Sequence, residues 1–137
     1  MVRHCQSRGL DHFPQISKLL RDAHIVCEPV FTEHKFHATE LTVSAVKEGY
    51  RNIIVVGGDG TLNECVNGAV GHANVAVTHF PCGTGNDFIK MFGEEKERFF
   101  DLAELVRGEV RPLDVMECCG RYAINICSVG IDARIGT

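Results

Sequence analysis

Strand-like and helix-like segments take turns along the 137 residues of this chain. Ile53 to Val56 is a purely aliphatic run, and Val75 to Phe80 is a second apolar stretch of strand length. Apolar residues at helical spacing surround these runs, as in Phe13 to Ala23 and in Glu95 to Arg107. Apolar strands that alternate with helices are typical of a mainly parallel sheet with both faces covered. The pattern predicts an α/β fold of three layers (αβα).

Weaker patterns complete the set of expected elements. Ile25 to Phe31 is apolar and β-branched but contains Pro29, which favours a strand near the edge of the sheet. Ala38 to Gly49 has helical spacing and ends at a glycine, a common helix stop. The other expected elements are a helix over Leu62 to Val70, a helix after Gly85, and strands over Val110 to Cys118 and Tyr122 to Cys127, joined at Gly120 as a hairpin.

The charge balance narrows the classes of partner. Fourteen basic and 18 acidic residues give a net charge of −4, which argues against a chain that mainly neutralises nucleic acid or anionic membranes. No apolar run approaches the roughly 20 residues that cross a bilayer. Arg3 and His4 lead into polar residues, unlike a signal peptide. We therefore expect a cytoplasmic protein with no transmembrane segment and no nucleic-acid partner.

The seven cysteines and the histidines raise the question of a metal site. An odd number of cysteines without a C-x-x-C motif favours buried, reduced thiols in a cytosolic protein. His34 and His37 have H-x-x-H spacing, and His79 and Cys82 come later, so a zinc site is an alternative. No second close pair of ligands supports it. We expect no zinc.

The most informative segment, Gly57-Gly58-Asp59-Gly60-Thr61, lies between an apolar run and a predicted helix. In open α/β sheets, ligands bind at the carboxyl ends of strands, where this loop falls. Its glycines allow positive φ and close approach of an anion, and the first amides of the following helix favour negative charge. An aspartate there would repel a bare phosphate, so it indicates an intervening divalent cation or its water. The alternative is a tight turn, with Thr61 or Asp59 as the helix N-cap.

A second loop has the same chemistry. The segment from Pro81 to Phe88, with the sequence PCGTGNDF, again follows an apolar strand and again opens a helix. Neither loop is a Walker A motif, and Asn63 stands where a dinucleotide fingerprint would need its third glycine. Turn geometry alone does not explain the duplication. The two loops predict one shared crevice that binds phosphate and a metal.

These two motifs, Gly57 to Glu64 and Gly83 to Phe88, resemble those of the diacylglycerol kinase catalytic domain, whose superfamily also holds sphingosine and ceramide kinases. The resemblance begins near Thr32, continues through His37 to Leu41, and reaches the segment from Asn125 to Ala133. It implies a nucleotide-binding lobe like that of phosphofructokinases and NAD kinases. It also implies transfer of the ATP γ-phosphoryl group to a lipid hydroxyl at a membrane surface, of the diacylglycerol-to-phosphatidate type. An NAD kinase or sugar-phosphate kinase, and a non-catalytic nucleotide-binding remnant, are the alternatives.

The resemblance further implies roles for single residues. The positions matched to ATP binding are Thr32, Gly57, Gly58, Asp59, Gly60, Thr61, Leu62, Asn63, Glu64, Gly83, Thr84, Gly85, Asn86 and Asp87. Asp59, Asp87 and Asp114 match acidic positions that order water around Mg²⁺. Such groups suit phosphoryl transfer, which depends on positioning and on neutralising charge. The alternative for Asp114 is an ordinary surface strand.

The chain also departs from the family pattern. The family opens with an apolar strand and an Asn-Pro-x-Ser-Gly loop, and we expect neither within Met1 to His12. The family continues into a β-rich domain that supplies the carboxylate base for the lipid hydroxyl, so this base is expected beyond Thr137. We therefore expect residues 1–137 to form one nucleotide-binding domain, truncated at both ends. The missing first strand would leave a sheet edge unpaired, which favours a homodimer.

Overall fold

The computed structural model describes residues 2–6 and 13–128. Four strands form one sheet in the order β2-β1-β3-β4, and every neighbouring pair is parallel. These strands are β1 (Val2–Gln6), β2 (Cys27–Phe31), β3 (Asn52–Gly57) and β4 (Ala76–Pro81). The helices are α1 (Phe13–Asp22), α2 (His37–Lys47), α3 (Asp59–Ala69), α4 (Asp87–Lys90) and α5 (Leu102–Arg107), with a 3₁₀ helix over Gly93–Phe100. A separate antiparallel hairpin consists of β5 (Met116–Cys118) and β6 (Arg121–Ala123).

Strand β3 divides the core into two halves because successive side chains of a strand point to opposite faces. Ile53 and Val55 pack on one face with buried residues of α2, α3 and α4. Ile54 and Val56 pack on the other face with buried residues of α1 and α5. Helices therefore cover both faces of the parallel sheet, and the prediction of a three-layer αβα fold is confirmed.

Strand β1 corrects the expectation that no strand precedes His12. Val2–Gln6 lies in the middle of the sheet and pairs in register with both β2 and β3. The segment VRHCQ lacks a continuous apolar run, but strand pairing uses backbone N–H and C=O groups that every non-proline residue provides. The unpaired edge expected beside β3 is therefore occupied, and the argument for a homodimer through it no longer holds. The expected absence of a loop motif falls within residues 7–12, outside the described residues.

Other elements match the expectations with shifted bounds. β2, which contains Pro29, lies at the edge of the sheet, and Gly49 follows the C-cap of α2 with φ +92°. The long helix expected over Glu95 to Arg107 is divided at Asp101, whose carboxylate accepts the Glu104 N–H at 3.1 Å as an N-cap. The hairpin is shorter than expected. Within the described residues, no helix is long and apolar enough to cross a membrane.

The expectation of buried thiols is correct only in part. Among the cysteines whose side chains are described, Cys65 is buried and Cys27 and Cys82 are half-buried. Cys118, Cys119 and Cys127 are exposed instead. The difference arises because the last three lie on or after the hairpin, which packs against α3 outside the main sheet.

Candidate functional site

The two glycine loops leave the sheet side by side. The first follows β3 and the second follows β4, and the strand register pairs Gly57 with Pro81 at the carboxyl ends of both strands. A cleft of about 540 Å³ lies between the loops. Its lining residues are Gly58, Asp59, Gly60, Thr61, Cys82, Gly83, Thr84 and Gly85. The two loops therefore border one crevice, as the sequence predicts.

Close backbone approach explains the glycines of the loops. A Cβ atom on Gly58 would lie 3.1 Å from Gly83 Cα, and one on Gly83 would lie 2.6 Å from Gly58 Cα. A Cβ atom on Gly60 would meet no heavy atom within 4 Å. The expectation of positive φ is wrong for these glycines and for Gly57; the left-handed residue of the loops is Asn86, with φ +49°. The first two glycines thus allow backbone contact, and Gly60 leaves space open.

Asp59 joins the first loop to the second. Its Oδ1 accepts the Phe88 N–H at 2.9 Å and its Oδ2 accepts the Asp87 N–H at 3.0 Å, so the carboxylate caps the start of α4. Neither Asp59 nor Thr61 caps α3, whose N-cap is Gly58 without a side-chain hydrogen bond. Partial burial raises the pKa of Asp59, but the two amide donors and the His79 imidazole outweigh it and hold the pKa below its ordinary value. Asp59 is therefore an ionised carboxylate at neutral pH.

A second carboxylate faces Asp59 across Gly85. A Cβ atom on Gly85 would lie 3.4 Å from Oδ2 of Asp59 and 3.4 Å from Oδ2 of Asp87, so a side chain there would fill the space between them. Asp87 Oδ1 also accepts from Lys90 Nζ at 2.5 Å. Mg²⁺ prefers carboxylate and water oxygens and usually keeps several waters. Both carboxylates already accept hydrogen bonds from protein donors. They are therefore suited to contact Mg²⁺ through its bound waters and not directly. Asp114 is exposed and is not among the residues that line the cleft.

His79 stabilises the first loop, although the sequence did not indicate that this residue belongs to the site. His79 is 2% exposed, and its Nε2 donates to the Gly57 carbonyl at 2.9 Å. The Cys82 N–H donates to the same carbonyl at 2.9 Å, so this one oxygen links both loops. Burial lowers the pKa of His79, although its bond to Gly57 and the charge of Asp59 oppose the shift. A histidine inside a mainly apolar strand was the available signal.

Glu64 and Leu62, both matched to nucleotide binding by resemblance, have other contacts. Glu64 Oε1 accepts the Phe36 N–H at 3.0 Å and Oε2 accepts the Ala38 N–H at 3.2 Å, which satisfies the first amides of α2. The hydroxyl of Thr39 donates to the Glu64 carbonyl at 2.8 Å. Leu62 is 1% exposed and packs in the core. These two side chains fix α3 against the rest of the lobe.

Two asparagines of α3 hold the hairpin. Asn63 Oδ1 accepts the Ile124 N–H at 3.2 Å. Asn67 Oδ1 accepts the Tyr122 N–H at 2.9 Å, and its Nδ2 donates to the Tyr122 carbonyl at 2.7 Å. The side chain of Asn67 therefore pairs with Tyr122 much as a neighbouring strand would. The resemblance matches Asn63 to the nucleotide, whereas Asn67 lies outside the motif that carries it.

The remaining assigned residues lie at or near the same edge of the sheet. Asn86 closes the second loop, because its Oδ1 accepts the Gly83 N–H at 2.9 Å and its Nδ2 donates to the Gly83 carbonyl at 2.9 Å. Thr84 is exposed and lines the cleft. Thr32 follows β2, which is separated from β3 by β1, and it does not line the cleft.

The zinc alternative built from four residues does not hold. His79 and Cys82 lie at the two glycine loops and bond to Gly57, whereas His34 and His37 precede and begin α2. The cluster that does form among the described residues joins these two histidines with Glu40, with ligand atoms within 4.8 Å of one another. The H-x-x-H spacing correctly indicated that His34 and His37 lie close together, but it did not indicate Glu40 as the third member of the cluster.

The chain is similar to known lipid kinases. The family model described as "Diacylglycerol kinase catalytic domain" matches residues 3–118. A diacylglycerol kinase of Bacillus subtilis (strain 168) is 37% identical over 95 residues, which cover 68% of this chain and 31% of that protein. A diacylglycerol kinase of Staphylococcus carnosus (strain TM300) is 30% identical over 118 residues, which cover 85% of this chain and 39% of that protein.

A solved structure agrees with these sequence matches. A diacylglycerol kinase from Bacillus anthracis str. Sterne has a TM-score of 0.71 to this chain at 26% identity. The superposition covers 88% of this chain and 44% of that one. The chain thus spans less than half the length of each of these three proteins.

Proposed function

Because the chain belongs to the diacylglycerol kinase catalytic domain family, we propose that it is the nucleotide-binding lobe of an ATP-dependent lipid kinase. The reaction would transfer the γ-phosphoryl group of ATP to a lipid hydroxyl, as in the conversion of diacylglycerol to phosphatidate. The observation that carries this proposal is the backbone contact between Gly58 and Gly83. It joins two loops of the same chemistry into one cleft at the carboxyl edge of a parallel sheet, where ligands of such folds bind.

The cleft suits phosphate groups. Its volume of about 540 Å³ lies within the range of small-molecule sites, which is about 300–1,000 Å³. Helix α3 begins at the cleft, and its first amides and positive dipole end favour an anion. The absence of a side chain at Gly60 leaves space for phosphate oxygens to reach these amides. We place the ATP phosphates between Gly60 and Thr61 on one side and Thr84 on the other.

Asp59 and Asp87 would hold the water shell of a nucleotide-bound Mg²⁺, with Asp114 as a further candidate from the resemblance. When bound, the cation would neutralise charge on the phosphate oxygens during transfer. The amides of Asp87 and Phe88 fix the Asp59 carboxylate at the cleft, so it is positioned before the ligand arrives. His79 keeps the Gly57 carbonyl turned into the protein and away from the phosphates.

We place the lipid site and the base for its hydroxyl outside the described residues. A base must come within about 2.6–3.2 Å of the proton that it removes, directly or through one water. The carboxylates of Asp59, which lines the cleft, and of Asp87 beside it already accept from protein donors. Residues 1–137 would then be one nucleotide-binding domain of a larger enzyme that works in the cytoplasm and contacts membranes peripherally.

A paired assay tests the proposal. The protein encoded by the whole reading frame and the 137-residue chain are each incubated with Mg-ATP and diacylglycerol in mixed micelles. We expect the longer protein to form phosphatidate and the shorter chain to form almost none, while calorimetry detects Mg-ATP binding to both. If the longer protein phosphorylated NAD or a sugar phosphate instead of the lipid, the proposed substrate class would be wrong. Absence of Mg-ATP binding to both proteins would contradict the nucleotide site itself.

A further inference from the structure

The turn of the β5–β6 hairpin carries two adjacent exposed thiols, and we propose that Cys118 and Cys119 form a bidentate site for a thiophilic divalent cation such as Zn²⁺. Their Sγ atoms lie 3.9 Å apart. Two thiolates bound to one tetrahedral Zn²⁺ at about 2.3 Å each lie about 3.8 Å apart. The distance between the two sulfur atoms is therefore close to the distance that chelation requires.

The turn conformation produces this spacing. Successive side chains of a strand point to opposite faces, so two adjacent cysteines in a continuous strand would point apart. Here Cys119 and Gly120 have φ +52° and +73°, which is the left-handed pair of a two-residue hairpin turn between Cys118 and Arg121. The left-handed backbone at Cys119 breaks the alternation and brings its thiol beside that of Cys118.

The other cysteines with described side chains do not offer a second such pair. Burial and the charge of Glu28 raise the pKa of the Cys27 thiol to about 11. Burial also raises the pKa of Cys82, and Cys65 is 0% exposed in the core. Since the thiolate is the metal ligand, these three thiols are poor ligands. Cys127 is exposed and has no adjacent cysteine, so it serves as a matched control.

The histidine cluster at the start of α2 is a weaker site for the same cation. The rings of His34 and His37 are stacked at 4.4 Å with an interplanar angle of 10°, so their nitrogen lone pairs lie in nearly parallel planes and do not meet at one point in both planes. His37 Nδ1 also accepts the Glu33 N–H at 3.0 Å, which leaves the ring proton on Nε2. A ligating histidine needs that proton on the other nitrogen. Chelation here would require both the stacking and this hydrogen bond to break.

Chelation at the turn balances in charge and atoms. Each S–H loses its proton to solvent, two S–Zn bonds form, and water completes the coordination. The two thiolate charges cancel the charge of the cation, so the product is neutral at an exposed position. No oxidant or reductant is needed.

The test uses the 137-residue chain, reduced and free of metal, titrated with Zn²⁺ against a chromophoric chelator. A parallel titration with Cd²⁺ follows the ultraviolet thiolate-to-cadmium charge-transfer band. We expect one ion per chain and the thiolate band, with Cys118→Ser and Cys119→Ser each weakening binding by at least about tenfold, since loss even of groups that only support a metal ligand costs 10–100-fold. Cys127→Ser and His37→Ala should bind as the parent chain does.

Three results would overturn the site. These are binding without the thiolate band, binding unchanged in the Cys118→Ser/Cys119→Ser double variant, and binding lost instead in Cys127→Ser or His37→Ala. Circular dichroism of each variant separates loss of a ligand from loss of the fold. Cys118 at the end of β5 and Cys119 in the turn are both exposed, so we expect the fold to persist in the serine variants.

Discussion

The loop and the helix of the segment from Gly57 to Asn67 use their residues in opposite ways. In the loop and the first turn of the helix, glycines leave out side chains: Gly58 allows close backbone contact with Gly83, and Gly60 leaves space open at the cleft. In the helix, Glu64 and Asn67 hold the start of α2 and the β5–β6 hairpin through pairs of hydrogen bonds. Glu64 belongs to the same family motif as the loop, whereas Asn67 lies three residues beyond that motif. A residue of a binding motif can therefore serve to hold the lobe together.

Asp59 belongs both to the first glycine loop and to the start of α3. Its carboxylate faces the cleft region shared with Asp87, and both of its oxygens also hold the start of α4. We therefore predict three classes of variant along this segment. Some variants lose ligand binding, others lose stability, and variants of Asp59 lose some of both.

The sharpest contrast is between two glycines on α3. Gly60→Val should weaken Mg-ATP binding by more than about 100-fold, equal to about 2.7 kcal/mol, because its side chain would occupy open space at the phosphates. Gly68→Val should instead unfold the lobe, since a Cβ atom there lies 2.7 Å from the Thr39 carbonyl and 2.8 Å from Thr42 Cβ. We expect it to cost at least about 3 kcal/mol. Calorimetry with Mg-ATP and thermal melting separate the two losses. A Gly68→Val chain that stays folded but no longer binds nucleotide would contradict the structural role that we assign to Gly68.

Substitution of Asp59 should affect both properties. Asp59→Ala removes one charge-assisted contact to the hydrated cation, so Mg-ATP affinity should fall by roughly 10- to 150-fold, or about 1.5–3 kcal/mol. It also removes the cap of α4, so the melting temperature should fall. Asp59→Asn, which keeps one acceptor for the two amides, should lose less stability than Asp59→Ala but nearly as much affinity. Unchanged affinity in both variants would remove Asp59 from the site.

Asn67→Ala should affect stability alone. It leaves the N–H and carbonyl of Tyr122 without their partners, and such losses cost about 1–3 kcal/mol. Asn67→Asp keeps the acceptor for the Tyr122 N–H and should recover part of that loss. Chemical denaturation measures the free energy of unfolding, and Mg-ATP affinity should stay within about twofold of the parent chain. A large loss of affinity would mean that the hairpin shapes the cleft.

The smallest expected effect is on pH dependence. Burial lowers the pKa of His79, so the folded chain keeps this imidazole neutral where the unfolded chain binds a proton. Stability should therefore fall as pH drops below about 6.5 and continue to fall until the folded pKa is reached. His79→Gln should remove this component and lower stability at neutral pH. Melting temperatures between about pH 7.5 and pH 5.5 compare the two chains, and equal slopes would show that His79 does not contribute.

The sequence could predict what depends on local pattern. Alternation of apolar runs and helical spacing predicts the layered sheet, and two glycine loops after neighbouring strands predict a shared cleft. It could not predict β1, because Val2–Gln6 pairs through backbone groups and lacks an apolar run. It also could not predict the partners of Asp59 and Asn67, which lie 28 and 55 residues away along the chain. Such contacts are set by how helices and loops meet in the folded lobe.

The most direct test of the central claim is the change in backbone amide NMR shifts when Mg-ATP is added to the chain. The amides that should move most are those of Gly58 to Thr61 and Cys82 to Gly85, on the two sides of the cleft. The amides of Tyr122 and Ile124, which Asn67 and Asn63 hold and which do not line the cleft, should move little. Shifts confined to one loop, or centred on the hairpin, would contradict a nucleotide site formed by both loops.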